Sequence, residues 1–205
     1  MSAFELQLWG GALLFLAFFV LLAVAVARDP VLRLDGIAVA VRGHATALAR
    51  VLTYSGYGLP ITCLGVLCAG AALYVRAGYA ETVFLFCTQA ASQGLINALK
   101  LAFARARPLN GLGRKEGSFS FPSGHASTAV VLYGGAAHLT WASTLPAAVR
   151  IPIGTALLAW AFGVAWSRLA LAAHFFSDVL GGLLFGFAFV MAALACCAHA
   201  HIVVH

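Results

Sequence analysis

The sequence predicts an all-α integral membrane protein, a single domain of six transmembrane helices over residues 1–205. Hydrophobic residues make up 63% of the chain and charged residues 9%, with a mean hydropathy of +0.99, which is far more apolar than a water-soluble domain. The apolar residues also form uncharged stretches of about the length that crosses a hydrocarbon core. These stretches are Leu8–Ala27, Val51–Val75, Thr82–Leu99, Ala126–Val149, Ile151–Ser167 and Val179–Ala198.

The first stretch is expected to be retained as a helix, because it lacks a basic segment before it and a clear small-residue cleavage site after it. After it, Asp35, Arg42, Thr46 and Arg50 are spaced so that a helix would carry them on one face among apolar residues. This spacing predicts a short amphipathic helix in the membrane interface, although a simple connector fits it equally well.

The charge of the chain indicates an anionic partner, since Lys and Arg outnumber Asp and Glu by 12 to 6. The basic residues lie at the ends of the apolar stretches and in short loops, where they would meet membrane lipids or phosphates. No separate basic domain exists for nucleic acid, so no nucleic-acid partner is predicted. The cysteines show no metal-ligand spacing, and the late histidines (His199, His201 and His205) could form a metal-binding tail but have no partner ligands, so we expect no metal and no cofactor. The oligomeric state stays open, because Gly182-x3-Gly186 would permit close helix packing within the bundle or between subunits.

The first polar cluster is Lys100 and Arg107, seven residues apart. If the third helix continues through Arg107, the two cations share a face near its end, and Pro108 then helps to stop the helix. Either cation alone could equally be an interfacial anchor.

The second cluster is Phe121-Pro122-Ser123-Gly124-His125, directly before the fourth stretch. Ser123 and Gly124 would offer a hydroxyl and backbone N–H groups at a helix N-terminus, which favours an anion. His125 would stand beside that anion as a proton donor, unless it is only an interfacial histidine.

The third cluster is Arg168, His174 and Asp178, between the fifth and sixth stretches. The guanidinium of Arg168 suits two phosphate oxygens. On a helix, His174 and Asp178 would share a face, so that the carboxylate holds one imidazole nitrogen and leaves the other as a nucleophile. A surface ion pair is the plain alternative. In an antiparallel six-helix bundle the three clusters lie on the same side, which predicts an active site at one membrane face.

Together these clusters resemble the three motifs of the type 2 phosphatidic acid phosphatases, which share an active site with vanadium haloperoxidases and glucose-6-phosphatase. The resemblance lies within residues 100–178 and implies a metal-independent phosphatase in which His174 forms a phosphohistidine. It further implies that Asp178 orients His174, that His125 protonates the leaving oxygen, and that the remaining residues bind the phosphate of the substrate. The matching segments are Lys100-x6-Arg107-Pro108, Pro122-Ser123-Gly124-His125 and Ser167-Arg168-x5-His174-x3-Asp178.

A site within a membrane favours a lipid substrate, and phosphatidate, phosphatidylglycerophosphate, a polyprenyl diphosphate and lipid A phosphate all fit. An anion transporter or channel is the alternative, since cations in a bundle mouth can select anions. A pore has no need of the His174/Asp178 pair or of His125, which counts against this alternative. A haloperoxidase is a weaker third choice. By the resemblance to bacterial family members, we expect an inner-membrane protein with its site on the extracytoplasmic side. The positive-inside rule, applied to the positions of the arginines, predicts the opposite orientation.

Overall fold

A computed structural model describes residues 1–57, 79–109, 111–112 and 116–199 of the chain, and no β-strand occurs among them. The all-α prediction is confirmed for this part of the chain. The elements in chain order are α1 (Ala3–Arg28), a 3₁₀ turn (Arg33–Gly36), α2 (Ile37–Val41), α3 (Thr46–Tyr54), α4 (Tyr79–Phe103), α5 (Gly124–Ala129), a π-helical turn (Val130–Gly134), α6 (Gly135–Ala142), α7 (Ala147–Ala170) and α8 (Phe176–His199).

Three of the described helices, α1, α7 and α8, are long and apolar enough to cross a membrane. Together with the hydropathy of the whole chain, they identify an integral membrane protein. The third predicted span corresponds to α4, and the fourth to the rod formed by α5, the π-helical turn and α6. Most of the second predicted span falls on residues 58–78, outside the described residues. The count of six helices therefore stays a prediction.

The boundary between the fourth and fifth predicted spans lies earlier than the hydropathy indicates. The helix α6 ends at Ala142, and α7 starts directly after Pro146, whose extended backbone (φ −53°, ψ 140°) separates the two helices. Proline fits this place because its fixed φ favours the start of a helix and its ring cannot continue the preceding one.

The connection after α1 is not the single amphipathic helix that its charge spacing predicts. It consists of the 3₁₀ turn, α2 and α3, and the break between the last two contains Gly43 and Ala45 with φ of 80° and 44°. Two residues in the left-handed region reverse the chain and end any continuous helical face. Asp35, at the start of this connection, is buried rather than exposed at an interface.

The core of the bundle is centred on α8, which packs against α1 on one side and α5 on the other. Aromatic rings line the α1 contact, where Phe15 and Phe187 stack with their centroids 5.1 Å apart. The α5 contact is much closer, since a Cβ on Gly182 would lie 2.4 Å from the Ser123 carbonyl oxygen. A Cβ on Gly186 would likewise lie 2.9 Å from the Cβ of Val130. The Gly182-x3-Gly186 pattern therefore serves packing within the chain.

Candidate functional site

The eight predicted site residues meet at one end of the bundle, where α4 and α7 end and α5 and α8 begin. Hydrogen bonds and ion pairs connect them across the three motifs, partly through the loop between α4 and α5. All eight are among the described residues: Lys100, Arg107, Ser123, Gly124, His125, Arg168, His174 and Asp178.

His174 and Asp178 are in contact, as their spacing predicts, but no helix carries both. The helix α8 begins at Phe176, so His174 lies in the turn before it and Asp178 in its first turn. Nδ1 of His174 lies 3.3 Å from Oδ2 of Asp178, and the same oxygen accepts the backbone N–H of Phe175 at 2.8 Å. An acidic side chain at the third helical position commonly accepts this N–H and so fixes where the helix starts. The helical part of the prediction is wrong for that reason.

The position of the proton on His174 follows from its two neighbours. Nη1 of Arg107 lies 3.0 Å from Nε2 of His174, and a guanidinium can only donate. Nε2 is therefore the acceptor, and the ring proton sits on Nδ1, facing Asp178. Burial lowers the pKa of His174 to about 4, against the opposing Asp178 carboxylate and with the help of the positive charges of Arg168 and Arg107. At pH 7 the imidazole is neutral and carries a lone pair on Nε2.

Lys100 and Arg107 both reach the site, although they do not share a helical face. Ala104, the residue after α4, has a φ of 46°, which turns the chain away from the helix axis. The helix ends at Phe103, so the condition under which Lys100 and Arg107 would share a helical face is not met. Lys100 Nζ donates to the carbonyl of Phe119 at 2.7 Å, and Arg107 Nε donates to the carbonyl of Ser118 at 2.7 Å. One loop segment thus holds both cations.

A carboxylate from that loop bridges two of the predicted phosphate-binding arginines. Oε2 of Glu116 lies 2.8 Å from Nη2 of Arg107, and Oε1 of Glu116 accepts from Nη2 of Arg168. Burial disfavours the charged form of Glu116, but the positive charges around it, of which Arg168 has the largest effect, outweigh burial and hold its pKa at about 2. The Glu116 carboxylate therefore lies between cations, where the electrostatic potential of the site is strongly positive.

The Pro-Ser-Gly-His segment begins a helix, as predicted. The helix α5 starts at Gly124 with Ser123 before it, and the Ser123 N–H donates to the Asp178 carbonyl at 2.9 Å. The hydroxyl of Ser123 and Nε2 of His125 are buried without a hydrogen-bond partner among the described residues. Tyr57 packs edge-on against the His125 ring, with the centroids 4.8 Å apart. Two buried polar groups thus have unused hydrogen-bonding capacity in this part of the chain.

Two cavities of about 490 Å³ each border the site. The first lies between α4 and α5, and Lys100, Glu116 and His125 contribute to its wall. The second borders His174 and Arg107 and is otherwise lined mainly by apolar residues of α2 and α7 and their neighbours.

Two residues that the sequence analysis did not select, Arg105 and Ser120, bond to Asp178, and Asp35 supports Arg105. Arg105 donates through Nη1 to Oδ1 of Asp178 and through Nη2 to Oδ2 of Asp35 at 2.8 Å. Ser120 donates to Oδ2 of Asp178, and its hydroxyl lies 3.5 Å from Nδ1 of His174. The available signal was Arg105 itself, because a cation in so apolar a chain requires a counter-charge. The spacing of the sequence does not identify that counter-charge.

These observations define a class: a membrane protein with three cations gathered beside a neutral, oriented histidine. The model of the PAP2 superfamily matches residues 81–201, more than half of the chain, and this range contains all three motifs. The chain therefore belongs to the PAP2 superfamily, and its enzyme class is phosphatase.

The fold is similar to that in the crystal structure of a transmembrane PAP2-type phosphatidylglycerolphosphate phosphatase from Bacillus subtilis. The TM-score is 0.81 at 24% sequence identity, and the match covers 92% of this chain and 96% of that one. At this identity the similarity shows a shared fold. A comparison with curated proteins gave no match.

Replacing Arg105 by methionine should destabilise the protein strongly. The substitution leaves Asp35 and Asp178 buried without their shared cation, and removing one partner of a buried ion pair costs about 3–5 kcal/mol. Thermal unfolding in detergent measures the effect. Arg33→Met, which removes an exposed arginine, is the matched control and should leave the midpoint unchanged. Equal midpoints for the two variants would contradict a stabilising role for the Arg105 network.

Proposed function

We propose that the chain is a metal-independent lipid phosphatase that hydrolyses a lipid phosphate or diphosphate through a phosphohistidine on His174. The observation that supports this most is the state of His174, whose proton is fixed on Nδ1 by Asp178 and Arg107. A neutral imidazole with a lone pair on Nε2 is the form that can attack phosphorus.

In the first step, Arg107 exchanges its hydrogen bond to Nε2 of His174 for one to a phosphate oxygen, Nε2 forms a bond to phosphorus, and the bond from phosphorus to the leaving oxygen breaks. His125 gives that oxygen a proton, and the negative charge of the bound phosphate favours the protonated form of His125 beforehand. The carboxylate of Asp178 stabilises the positive charge that develops on the His174 ring. In the second step, water loses a proton to His125 and attacks phosphorus, and the bond from phosphorus to Nε2 breaks with its electron pair returning to Nε2, which releases inorganic phosphate and neutral His174.

Most of the rate acceleration must come from electrostatic stabilisation, because a placed acid contributes only about 10²–10⁴-fold. Lys100, Arg107 and Arg168 would neutralise charge on the phosphate oxygens, and the free hydroxyl of Ser123 and the N–H of Gly124 would donate to them. This donor set needs no divalent metal. Phosphatidate, phosphatidylglycerophosphate, a polyprenyl diphosphate and lipid A phosphate all fit as substrates, and the similar fold from Bacillus subtilis makes phosphatidylglycerophosphate the first to test.

The decisive experiment is phosphate release from these four lipids by purified protein in detergent with EDTA. Wild type should release phosphate, and His174→Ala should lose at least about 10³-fold in rate, since it lacks the nucleophile. His44→Ala, which removes an exposed histidine, should match wild type. A strict requirement for added magnesium would contradict the metal-independent mechanism. If wild type released no phosphate from any lipid, anion-flux assays would test the transporter alternative.

The carboxylate of Glu116 lies between Arg107 and Arg168, where the phosphate of the substrate would bind, so that the two anions compete for the same guanidinium groups. Glu116→Gln should therefore bind vanadate, a phosphate analogue, about tenfold more tightly, or ~1.4 kcal/mol. The inhibition constant at pH 7 measures this, because a pKa of about 2 keeps Glu116 ionised there. Glu5→Gln, at the first turn of α1, is the matched control. Weaker vanadate binding by Glu116→Gln would instead show that Glu116 orients the arginines.

We also propose that the site faces the extracytoplasmic side of a bacterial inner membrane. The bacterial members of the family support this side, whereas the positive-inside rule opposes it. Some of the cations on this side are accounted for by phosphate binding. In a cysteine-free variant, a cysteine placed at Asn110 should react with an impermeant thiol reagent in intact cells. Protection from the reagent would place the site in the cytoplasm.

A further inference from the structure

One face of α4 extends from the proposed phosphate site along the wall of the first cavity. Gln89, Gln93 and Asn97 precede Lys100 at intervals of one helical turn, and all four line that cavity. The rise of a helix places Gln89 about 16 Å from Lys100 along the axis. Polar residues at this depth of an apolar bundle indicate function more often than packing.

These side chains form a continuous chain of hydrogen bonds with Thr128 of α5. Nε2 of Gln89 donates to Oγ1 of Thr128 at 2.9 Å, and Thr128 donates in turn to Oε1 of Gln93 at 3.1 Å. Nε2 of Gln93 then donates to Oδ1 of Asn97 at 3.1 Å. Thr128 lies three residues after His125, so this chain of amides runs beside the proposed proton donor.

The chain of amides is incomplete at its inner end. Gln89 has an exposed fraction of only 8%, and its Oε1 is buried without a hydrogen-bond partner in the part of the chain that the structure describes. Whichever way the amide is turned, Thr128 meets one of its polar atoms and the other stays unpaired. A buried unpaired amide atom is costly, so it marks a place where a ligand atom completes the bonding.

The charges around the cavity restrict the chemistry of that ligand. Among the described lining residues, Lys100 is the one lysine or arginine, and it lies at the phosphate end beside Glu116. Beyond His125 the described wall offers amides, a hydroxyl and apolar groups, which suit uncharged oxygen atoms. A second phosphate there would lack a counter-charge.

We propose that this cavity holds the alcohol part of the substrate, and that Gln89 and Gln93 bind hydroxyl or ester oxygens close to the phosphate being hydrolysed. The assignment rests on the proposed function, because His125, the proposed proton donor to the leaving oxygen, lines this cavity. It defines the substrate class as a lipid phosphomonoester whose alcohol carries further uncharged oxygens, in preference to a substrate with a second phosphate or a simple alkyl phosphate.

The test compares kcat/KM of the purified full chain on four probes: phosphatidate, phosphatidylglycerophosphate, dodecyl phosphate and farnesyl diphosphate. Wild type should prefer phosphatidate, because phosphatidylglycerophosphate also carries a diester phosphate, which would lack a counter-charge in this cavity. Gln89→Leu and Gln93→Leu should each lose about three- to tenfold on phosphatidate, the effect of one hydrogen bond, and less than about twofold on dodecyl phosphate.

Gln7→Leu, on the exposed face of α1, is the matched control and should leave all four values unchanged. Vanadate inhibition should also be unchanged in the Gln89 and Gln93 variants, because the phosphate end of the cavity is intact. If one of the two variants does not fold, the other is sufficient for the test. Equal losses on phosphatidate and dodecyl phosphate would overturn this assignment alone, and so would a wild type that does not discriminate among the probes. No phosphate release from any probe would overturn the proposed function and this assignment with it.

Discussion

The buried carboxylate of Asp178 is the group on which the rest of the site depends. Its two oxygens accept from Arg105, Ser120, the Phe175 N–H and His174, so that both are fully engaged. A buried charge is tolerated only with such compensation. The same bonds fix the start of α8 and the proton position on His174. Folding and chemistry therefore use one set of contacts, and the geometry of His174 exists only when the surrounding segments are in place.

The support for Asp178 extends to the connection after α1. Oδ1 of Asp35 accepts both the N–H and the hydroxyl of Ser177, at 2.8 Å and 2.6 Å, while its Oδ2 pairs with Arg105. Nε of Arg105 also donates to the Pro30 carbonyl at 2.9 Å. The charge spacing of this segment predicted an interfacial helix, but the segment instead supports the first turn of α8. Asp35 faces inward toward Arg105, whereas Arg42 and Arg50 are exposed, so these charged residues do not form one stripe.

Local patterns in the sequence were enough to find the apolar helices and the pairs of residues that lie near each other along the chain. His174 with Asp178, and Ser123 before a helix, are examples, because each depends on a spacing of a few residues. The partners of Arg105 and Glu116 were not predictable in this way, since Asp35 and Arg168 are 70 and 52 residues distant from them in sequence. The helix ends at Ala104 and before Phe176 were also missed. A left-handed alanine and a carboxylate that caps from the third helical position leave no strong mark in composition.

The close contact between α8 and α5 has a mechanical consequence for an enzyme that works in lipid. Transmembrane helices respond to changes in bilayer thickness by tilting, which can shift residues at their ends relative to one another. Here the Ser123 N–H is bonded to the Asp178 carbonyl, and Gly182 lets the two backbones touch at the Ser123 carbonyl. The starts of α5 and α8 must then tilt as one body. A change in membrane thickness therefore leaves the distance between the second and third motifs unchanged.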